Sequence, residues 1–258
     1  MRKNLLGLGV LGLVLVFLLV SARRPNTDFE IKSIAKAPLA ADSVYNKYIN
    51  NLYVDLHLKE AGLSLPVFEK AVTGFYNLKQ SGRISSKPIL SIADFDQLST
   101  QKRLYIIDLD KKELLLNTWV AHGQNSGGNE ATNFSNMNNS FSSSLGFYVT
   151  GEVYRGIHGK SLKLDGMDEG YNSNARDRSI VVHGAPYVSS GTIKALGRLG
   201  RSQGCPAVAP DVADKVIKTI EDKTVLFINK SVESYQSKYL NEALAADFAN
   251  DLQTSQMD

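Results

Sequence analysis

The stretch from Arg178 to Val208 constrains the fold more than any other part of this 258-residue chain. It reads RSIVVHGAPYVSSGTIKALGRLGRSQGCPAV and contains the single cysteine of the sequence. Its residues 179–182 form a short, partly β-branched apolar run that ends in the turn sequence HGAP, which predicts a strand delivering His183 to a turn. Cys205 follows in RSQGCP, between a glycine that permits close backbone approach and a proline. The sequence therefore predicts a histidine at a strand end and a thiol on a rigid loop.

A cysteine and a histidine brought together form a nucleophilic pair. A cationic imidazole lowers the pKa of a nearby thiol from its ordinary value of about 8.5, and the thiolate is the better nucleophile. We therefore expect Cys205 to act as nucleophile and His183 as its base, with the amides of Gly204 and Cys205, joined by that of Gln203, stabilising an oxyanion. The alternative is a cysteine that is a small buried hydrophobic residue and a histidine that is purely structural.

These segments resemble the L,D-transpeptidase (YkuD-like) catalytic domains, in which an HG turn is followed by a Ser-x-Gly-Cys loop. The segment GRSQGCPAV (200–208) is most similar to the second subfamily, and Gln203 stands where other members have histidine. The resemblance runs from about Tyr45 to Lys230. It includes RLYIIDL (103–109), VAHGQNSG (120–127), SSLGFYVTGEVY (143–154), HGKSLKLDG (158–166) and NSNARDRSIVVHGAPYV (172–188).

The resemblance implies a mainly β fold, the sandwich-like transpeptidase catalytic domain preceded by a helical region. It implies that Cys205 is the acylated nucleophile, that His183 is the general base oriented by a backbone carbonyl, and that Ser202, Gln203 and Gly204 complete the catalytic loop. The implied reaction cleaves the L-to-D bond of a peptidoglycan stem tetrapeptide and transfers the acyl group to an amine. Water as acceptor would make the same site an L,D-carboxypeptidase. No cofactor or metal is implied.

Several arginines and histidines near these motifs are candidates for substrate binding. Guanidinium groups match the geometry of carboxylates, so arginines here would bind stem-peptide carboxylates, unless they instead form salt bridges or bind loop carbonyls. Two histidines in His-Gly pairs would line the cleft or satisfy turn backbones. The predicted substrate-binding residues are Arg201, His158, His122, Arg176, Arg178, Asn174 and Gly184.

The sequence predicts an export signal at the amino terminus. Two basic residues precede the apolar run from Leu5 to Val20, and small residues follow up to Ala22, which is typical of a signal peptide. The run also approaches a membrane-spanning length, so an uncleaved anchor in the inner membrane is the alternative. Both interpretations place the protein in the periplasm or cell envelope, where an unpaired cysteine is expected to be used for its reactivity.

The chain divides into four parts. Residues 1–22 are the signal peptide or anchor, residues 23–85 a linker and a helical hairpin, residues 86–230 the catalytic domain, and residues 231–258 an acidic tail with a short helix. The hairpin consists of a helix capped by Asp42 and ending near Gly62, and a second helix that Ser64 caps. Asp211 is expected to cap a helix inside the catalytic domain. Residues 124–144, rich in Asn, Ser and Gly, form a loop that is functional or disordered.

Composition excludes some function classes. The formal charge of +3 provides no large basic field for nucleic acid, and no nucleic-acid motif is present. One cysteine rules out an internal disulfide and a cysteine-based zinc site. The predicted partner is the peptidoglycan stem peptide. A non-catalytic peptidoglycan-binding module and a thiol protease are the remaining alternatives.

Overall fold

A computed structural model describes residues 39–247 of the chain. The helices are α1 (Leu39–Asp55), α2 (Leu65–Gln80), α3 (Ser190–Leu196) and α4 (Pro210–Ile220), with 3₁₀ turns at Gln124–Ser126 and Lys238–Leu240 and a last helical segment at 242–247. The strands are β1 (Ile89–Asp94), β2 (Leu104–Asp108), β3 (Glu113–Thr118), β4 (Gly146–Gly156), β5 (Gly159–Gly166), β6 (Val181–Gly184), β7 (Ala207–Val208) and β8 (Val225–Asn229). The predicted signal or anchor, 1–22, lies outside the described residues. None of the helices within 39–247 is long and apolar enough to cross a membrane.

The eight strands form one hydrogen-bonded sheet in the order β3-β2-β1-β8-β4-β5-β6-β7. The pairs β1–β8 and β6–β7 are parallel, and the other neighbours are antiparallel. Strand β6 ends in the HG turn, and strand β7 follows the Cys205 loop. These two strands lie together at one edge of the sheet. The predicted mainly β class, with a helical region before the sheet and a helix near the carboxyl end, is confirmed.

Alternating side chains divide the core into two layers, one on each face of the sheet. On β4, Phe147 packs into the layer that contains α1 and α2, whereas its neighbour Tyr148 packs into the layer that contains α4. Gly74 of α2 lies directly on Phe147, since a Cβ atom added at Gly74 would be 2.0 Å from the ring. A glycine is therefore required for this contact between helix and sheet.

Some predicted element boundaries are wrong. Helix α1 ends at Asp55 because His57 adopts a left-handed backbone with φ 51°, and the buried Leu58 then enters the core from an irregular turn. Ser64 occupies the N-cap position of α2 as predicted, although its side chain makes no capping hydrogen bond. Helix α4 begins at Pro210, so Asp211 lies in its first turn and does not cap it.

Candidate active site

The loop before β7 places the Cys205 thiol beside β6. In the parallel ladder His183 pairs with Ala207, two residues after Cys205. The Cys205 sulfur accepts a hydrogen bond from the Val181 amide at 3.5 Å and donates to the Ser179 carbonyl at 3.7 Å. The thiol therefore lies at the beginning of the short strand that carries His183. The spacing of the two motifs in the sequence allows this placement but does not require it.

Ser202 organises the Cys205 loop through four hydrogen bonds. Its amide donates to the His122 carbonyl at 2.9 Å, and its carbonyl accepts from the Gln124 amide at 2.7 Å. Its hydroxyl donates to the Cys205 carbonyl at 2.6 Å and accepts from the Gly204 amide at 3.0 Å. The loop is thus anchored on the segment that follows β3, and it is closed on itself by one serine.

The oxyanion donors differ from those expected. The Gly204 amide is engaged by the Ser202 hydroxyl and is not free to bind an oxyanion. Within residues 39–247, the amides of Gln203 and Cys205 donate to no acceptor. These two amides are the ones available to a substrate oxygen.

Gly204 permits the Cys205 loop to pack against the polar segment 124–144. Its φ of 120° lies in a region that other residues rarely adopt, and a Cβ there would be 2.7 Å from the Ser142 carbonyl oxygen. The Ser143 hydroxyl donates to the Gly204 carbonyl at 3.2 Å. The polar segment is therefore an ordered support for the thiol loop.

His183 is buried, with 2% of its surface exposed. Its Nδ1 donates to the Gly184 carbonyl at 3.0 Å, which leaves Nε2 as the acceptor of the neutral ring. The imidazole of His158, an exposed residue between β4 and β5, stacks on the His183 ring. Burial lowers the pKa of His183 below its ordinary value of 6.5, the Gly184 carbonyl opposes this shift, and His158 adds to it.

The sequence led us to expect a lowered thiol pKa, and the structure shows the opposite. Burial raises the pKa of Cys205, while the Val181 amide and the Arg178 charge only partly counteract it. Among the described residues, no hydrogen bond joins the Cys205 sulfur to the His183 ring. Because burial disfavours both charges, the resting site holds a neutral thiol and a neutral imidazole rather than an ion pair.

Arg178 is half-buried and holds the polar segment together. Its guanidinium donates to the carbonyls of Ser135 and Ser142, each at 2.6 Å, and to the hydroxyls of Ser144 at 2.7 Å and Ser140 at 3.1 Å. These bonds occupy both terminal nitrogens of the guanidinium, which are the donors that a substrate carboxylate would need. The charge nevertheless acts on the site, because it favours the Cys205 thiolate.

The other predicted polar residues lie in different surroundings. Arg201 is half-buried and donates to the Gly127 carbonyl at 2.6 Å. Asn174 is exposed and binds Asn136 through both its amide groups at 3.0 Å. Arg176 is ion-paired with carboxylates of β4 and β5, away from the thiol. The sequence groups these residues, and the structure separates them.

His122 lies beneath the Cys205 loop. Its side chain is 1% exposed, and its Nδ1 accepts a hydrogen bond of 2.7 Å from the guanidinium of Arg103. Burial, with a further contribution from Arg103, lowers the pKa of His122 to about 4. The sequence analysis missed Arg103, a fully buried cation that also donates to the Val120 carbonyl and lies over the Phe95 ring. Its position at the start of the RLYIIDL segment was the available signal.

The sheet and the site together describe a β domain with a candidate Cys-His centre, in which His183 lies on β6 and Cys205 on the loop before β7. Residues 59–229, more than half of the chain, match the profile of the L,D-transpeptidase catalytic domain. The chain belongs to this family. No group of three or more histidine, cysteine or acidic side chains within residues 39–247 is arranged to hold a metal ion.

Solved structures with low similarity include members of the same class. An L,D-transpeptidase from Mycobacterium smegmatis is 13% identical over 55% of this chain and 59% of that chain, with a TM-score of 0.35. The helical cell shape determining protein Pgp2 from Campylobacter jejuni is 15% identical over 69% of this chain and 63% of that chain, with a TM-score of 0.39. The chain thus spans about three fifths of the length of these proteins. No curated protein matches it.

Proposed function

We propose that the protein is a peptidoglycan L,D-transpeptidase that works through an acyl-enzyme intermediate on Cys205, with His183 as general base. Family membership supports the type of reaction. The observation that carries the assignment is the contact between the Cys205 sulfur and the Val181 amide, two residues before His183 on the same strand. Export to the periplasm or cell envelope, by a signal peptide or an anchor at 1–22, is part of the proposal.

Because the Cys205 thiol and the His183 imidazole are both neutral at rest, the thiol must lose its proton to His183 as it attacks the substrate. The Cys205 sulfur attacks the carbonyl carbon of the L-to-D bond while Nε2 of His183 takes the thiol proton. The carbonyl oxygen becomes an oxyanion, which the free amides of Gln203 and Cys205 stabilise. The intermediate collapses, the C–N bond breaks, and His183 returns the proton to the departing amine of the D-amino acid.

The second half of the reaction regenerates the thiol. An acceptor amine attacks the thioester and forms a second tetrahedral intermediate, and His183 takes the proton that this amine loses. Breaking of the C–S bond then yields the new amide, and the proton returns from His183 to the Cys205 sulfur. Burial of His183 suits this role, since a lowered pKa keeps the ring neutral and able to accept a proton at neutral pH.

The predicted substrate-binding residues divide into three groups. His158 lies on the His183 ring, and Arg201 binds loop carbonyls of the described residues through Nη1 alone, which leaves the rest of its guanidinium for a ligand. We assign substrate contact to these two residues and to the Gly184 turn. Arg178, His122 and Asn174 are already bound by neighbouring residues and are assigned to support of the site. Arg176 belongs to a separate cavity.

The test uses purified disaccharide-tetrapeptide muropeptides and analysis of the products by mass. The wild-type protein is expected to release a D-amino acid and to form cross-linked dimers, and Cys205→Ala and His183→Ala are expected to form neither while keeping the wild-type circular dichroism. The exposed Glu233→Gln variant is the control and should match the wild type. Full turnover by Cys205→Ala would overturn the assignment.

Two other outcomes separate the alternatives. Tripeptide stems without dimers would identify water as the acceptor, and the protein would then be an L,D-carboxypeptidase with the same acyl-enzyme. Binding of the muropeptide without any turnover in the wild type would identify a non-catalytic peptidoglycan-binding module.

A further inference from the structure

The Cys205 loop is held on both sides by one short stretch of chain after β3, residues 121–123, which we call the bridging segment. Its first residue forms an isolated bridge with Ala207 and donates its amide to the Ala207 carbonyl at 2.8 Å. Its last residue forms a second bridge with Ser202, whose amide donates to the carbonyl of the middle residue, His122, at 2.9 Å. Because Ser202 precedes Cys205 and Ala207 follows it, a shift of the bridging segment would displace the thiol.

The side chain of His122 connects the bridging segment to a buried cation. Arg103, immediately before β2, donates from Nη2 to Nδ1 of His122 at 2.7 Å. Its Nε and Nη2 donate to the Val120 carbonyl at 3.1 and 3.0 Å, and its Nη1 donates to the Gln97 carbonyl at 2.8 Å. The guanidinium thus fixes two alternate positions of the chain, the residue just before the bridging segment and the residue at its centre.

The protonation state of His122 fixes the direction of its bond with Arg103. Burial, and to a lesser degree the charge of Arg103, lowers the pKa of His122 to about 4, so the ring is neutral at neutral pH. A guanidinium has donors and no acceptor, so Nδ1 of His122 must accept and the ring proton lies on Nε2. The contact between the two side chains therefore persists under the conditions in which the site would work.

Stability alone is a poor reason for burying Arg103. Its side chain is 0% exposed, and burial lowers the pKa of the guanidinium to about 9, an effect that the charge of Asp94 opposes. Taking a charge out of water is costly, and apolar residues of similar volume often replace buried charges without loss of stability. A guanidinium differs from an apolar side chain because it holds several acceptors in one fixed geometry. In this protein, three of its four hydrogen bonds go to the chain that supports the Cys205 loop.

A second connection links the bridging segment to the thiol loop through Ser143. The Gly123 amide donates to the Ser143 hydroxyl at 3.0 Å, and this hydroxyl donates to the Gly204 carbonyl at 3.2 Å. The backbone of Gly123 also lies close to the Phe141 carbonyl oxygen, since a Cβ atom added at Gly123 would be 2.5 Å from it. The bridging segment is therefore tightly packed against the loop that carries the thiol.

We propose that Arg103 is a positioning residue for Cys205. Its bonds to Val120 and His122 fix the bridging segment, and the bridging segment holds the Cys205 loop on both sides. The proposal rests on the proposed function, because the position of the thiol matters for its attack on the substrate. Without Arg103 the segment relaxes, the sulfur leaves its place beside the His183 strand, and the thiol becomes more solvated. Turnover then falls, whereas the thiol reacts faster with a small alkylating agent, since burial is what disfavours its charged form.

The test compares turnover with alkylation in the folded protein. Arg103→Met should lower kcat for disaccharide-tetrapeptide roughly 10- to 100-fold with little change in KM, since a misplacement of about 1 Å can cost about 100-fold. Alkylation of Cys205 by iodoacetamide at pH 8 should become roughly 2- to 10-fold faster, because solvation favours the thiolate. The control is Gly74→Ala, which strains the packing on Phe147 in the other layer of the core and should change neither rate.

Two variants of His122 test the route and do not depend on the folding of Arg103→Met. His122→Leu removes the Nδ1 acceptor and should show both effects, whereas His122→Asn offers its Oδ1 to Arg103 and should recover most of the wild-type kcat. The double variant Arg103→Met and His122→Leu should lose no more kcat than the larger single loss, because the two residues act through one contact. Circular dichroism confirms that each variant is folded.

An unchanged kcat or an unchanged alkylation rate in folded Arg103→Met would overturn the proposal. Equal losses of kcat in His122→Leu and His122→Asn, or the same two changes in Gly74→Ala, would overturn it as well. The two proposals fail separately. Faster alkylation of Arg103→Met alone, in a protein whose wild type shows no Cys205-dependent turnover, would refute the transpeptidase assignment and leave Arg103 as a positioning residue of the thiol. Cys205-dependent turnover that Arg103→Met does not alter would refute the role of Arg103 alone.

Discussion

The imidazole rings of His158 and His183 stack with their centroids 4.2 Å apart and their planes inclined by 23°. The first residues of β5 lie beside the end of β6, where Ser161 pairs with His183, and this register brings the hairpin histidine over the buried one. The proposed base is thus covered by a second titratable ring. The electrostatic effect of His158 lowers the pKa of His183 further, in addition to burial.

Replacing His158 should change the pH dependence of the reaction. The groups that face His183 are the His158 ring from the hairpin and the carbonyl of Gly184, and Cys205 lies on the neighbouring loop. A His183 with a lowered pKa stays neutral as the pH falls below 6.5, and kcat/KM declines only as the pH passes its own pKa. His158→Phe keeps an aromatic ring and removes the charge, so the acid limb of the kcat/KM profile should move to higher pH. An unchanged acid limb, measured between pH 5 and 8, would show that His158 does not act on the base.

Gly204→Ala should impair both stability and activity. The left-handed backbone and the contact with Ser142 oppose any Cβ, and strain of this kind costs about 1 to 3 kcal/mol. Because the amide of Gly204 also binds Ser202, relaxation of the strain should displace the Cys205 thiol. Urea unfolding and muropeptide turnover measure the two effects. Gly128→Ala, where a Cβ meets open space, is the control. A fully active and stable Gly204→Ala protein would contradict the described loop geometry.

Two variants of Arg178 should separate its charge from its hydrogen bonds. Arg178→Gln removes the charge that favours the Cys205 thiolate, so the thiol pKa should rise further and alkylation by iodoacetamide at pH 8 should slow. Arg178→Lys keeps the positive charge but loses the several hydrogen-bond donors of the guanidinium. Its Cys205 thiol should be alkylated at nearly the wild-type rate. Both variants should lose about 2 to 4 kcal/mol of unfolding free energy, because hydrogen bonds to the segment 135–144 are lost. Arg155→Gln, exposed on the β4–β5 hairpin, is the control. Equal alkylation rates for the two Arg178 variants would exclude the electrostatic effect.

Gly74→Ala should destabilise the fold without altering the chemistry. The new methyl group would overlap the Phe147 ring, and overpacking of a core typically costs about 1 to 3 kcal/mol. The double variant Gly74→Ala and Phe147→Leu should recover part of this loss, since the smaller side chain makes room. Thermal unfolding of the four proteins of the cycle tests this. A lack of coupling between the two positions would contradict the described packing of α2 on the sheet.

Structural features that depend on neighbouring residues in the sequence could be predicted, whereas features that depend on contacts between distant segments could not. The strand before His183 and the β2–β3 hairpin are set by local pattern, and both are present. The left-handed turn at His57, the burial of Arg103 and the rise in the thiol pKa depend on distant segments that pack around them. The periodic pattern of apolar residues does not show which polar side chains distant segments will bury.

The candidate site shows the same division. The sequence displays the two motifs that carry Cys205 and His183, and their spacing is compatible with the observed placement of Cys205 beside the His183 strand without requiring it. The stacking of His158 on His183 depends on the register between β5 and β6, which no single segment encodes. The different surroundings of Arg176 and Arg178, two residues apart, arise because one faces the β4–β5 carboxylates and the other the polar segment.

The central claim is that Cys205 becomes acylated with the help of His183, and intact-mass analysis after incubation with a carbapenem, a strained cyclic acyl donor, tests it most directly. The account predicts one adduct per protein near neutral pH, located at Cys205 by peptide mapping, absent from Cys205→Ala and formed far more slowly by His183→Ala. An adduct that persists in Cys205→Ala, or a wild-type rate in His183→Ala, would contradict the account.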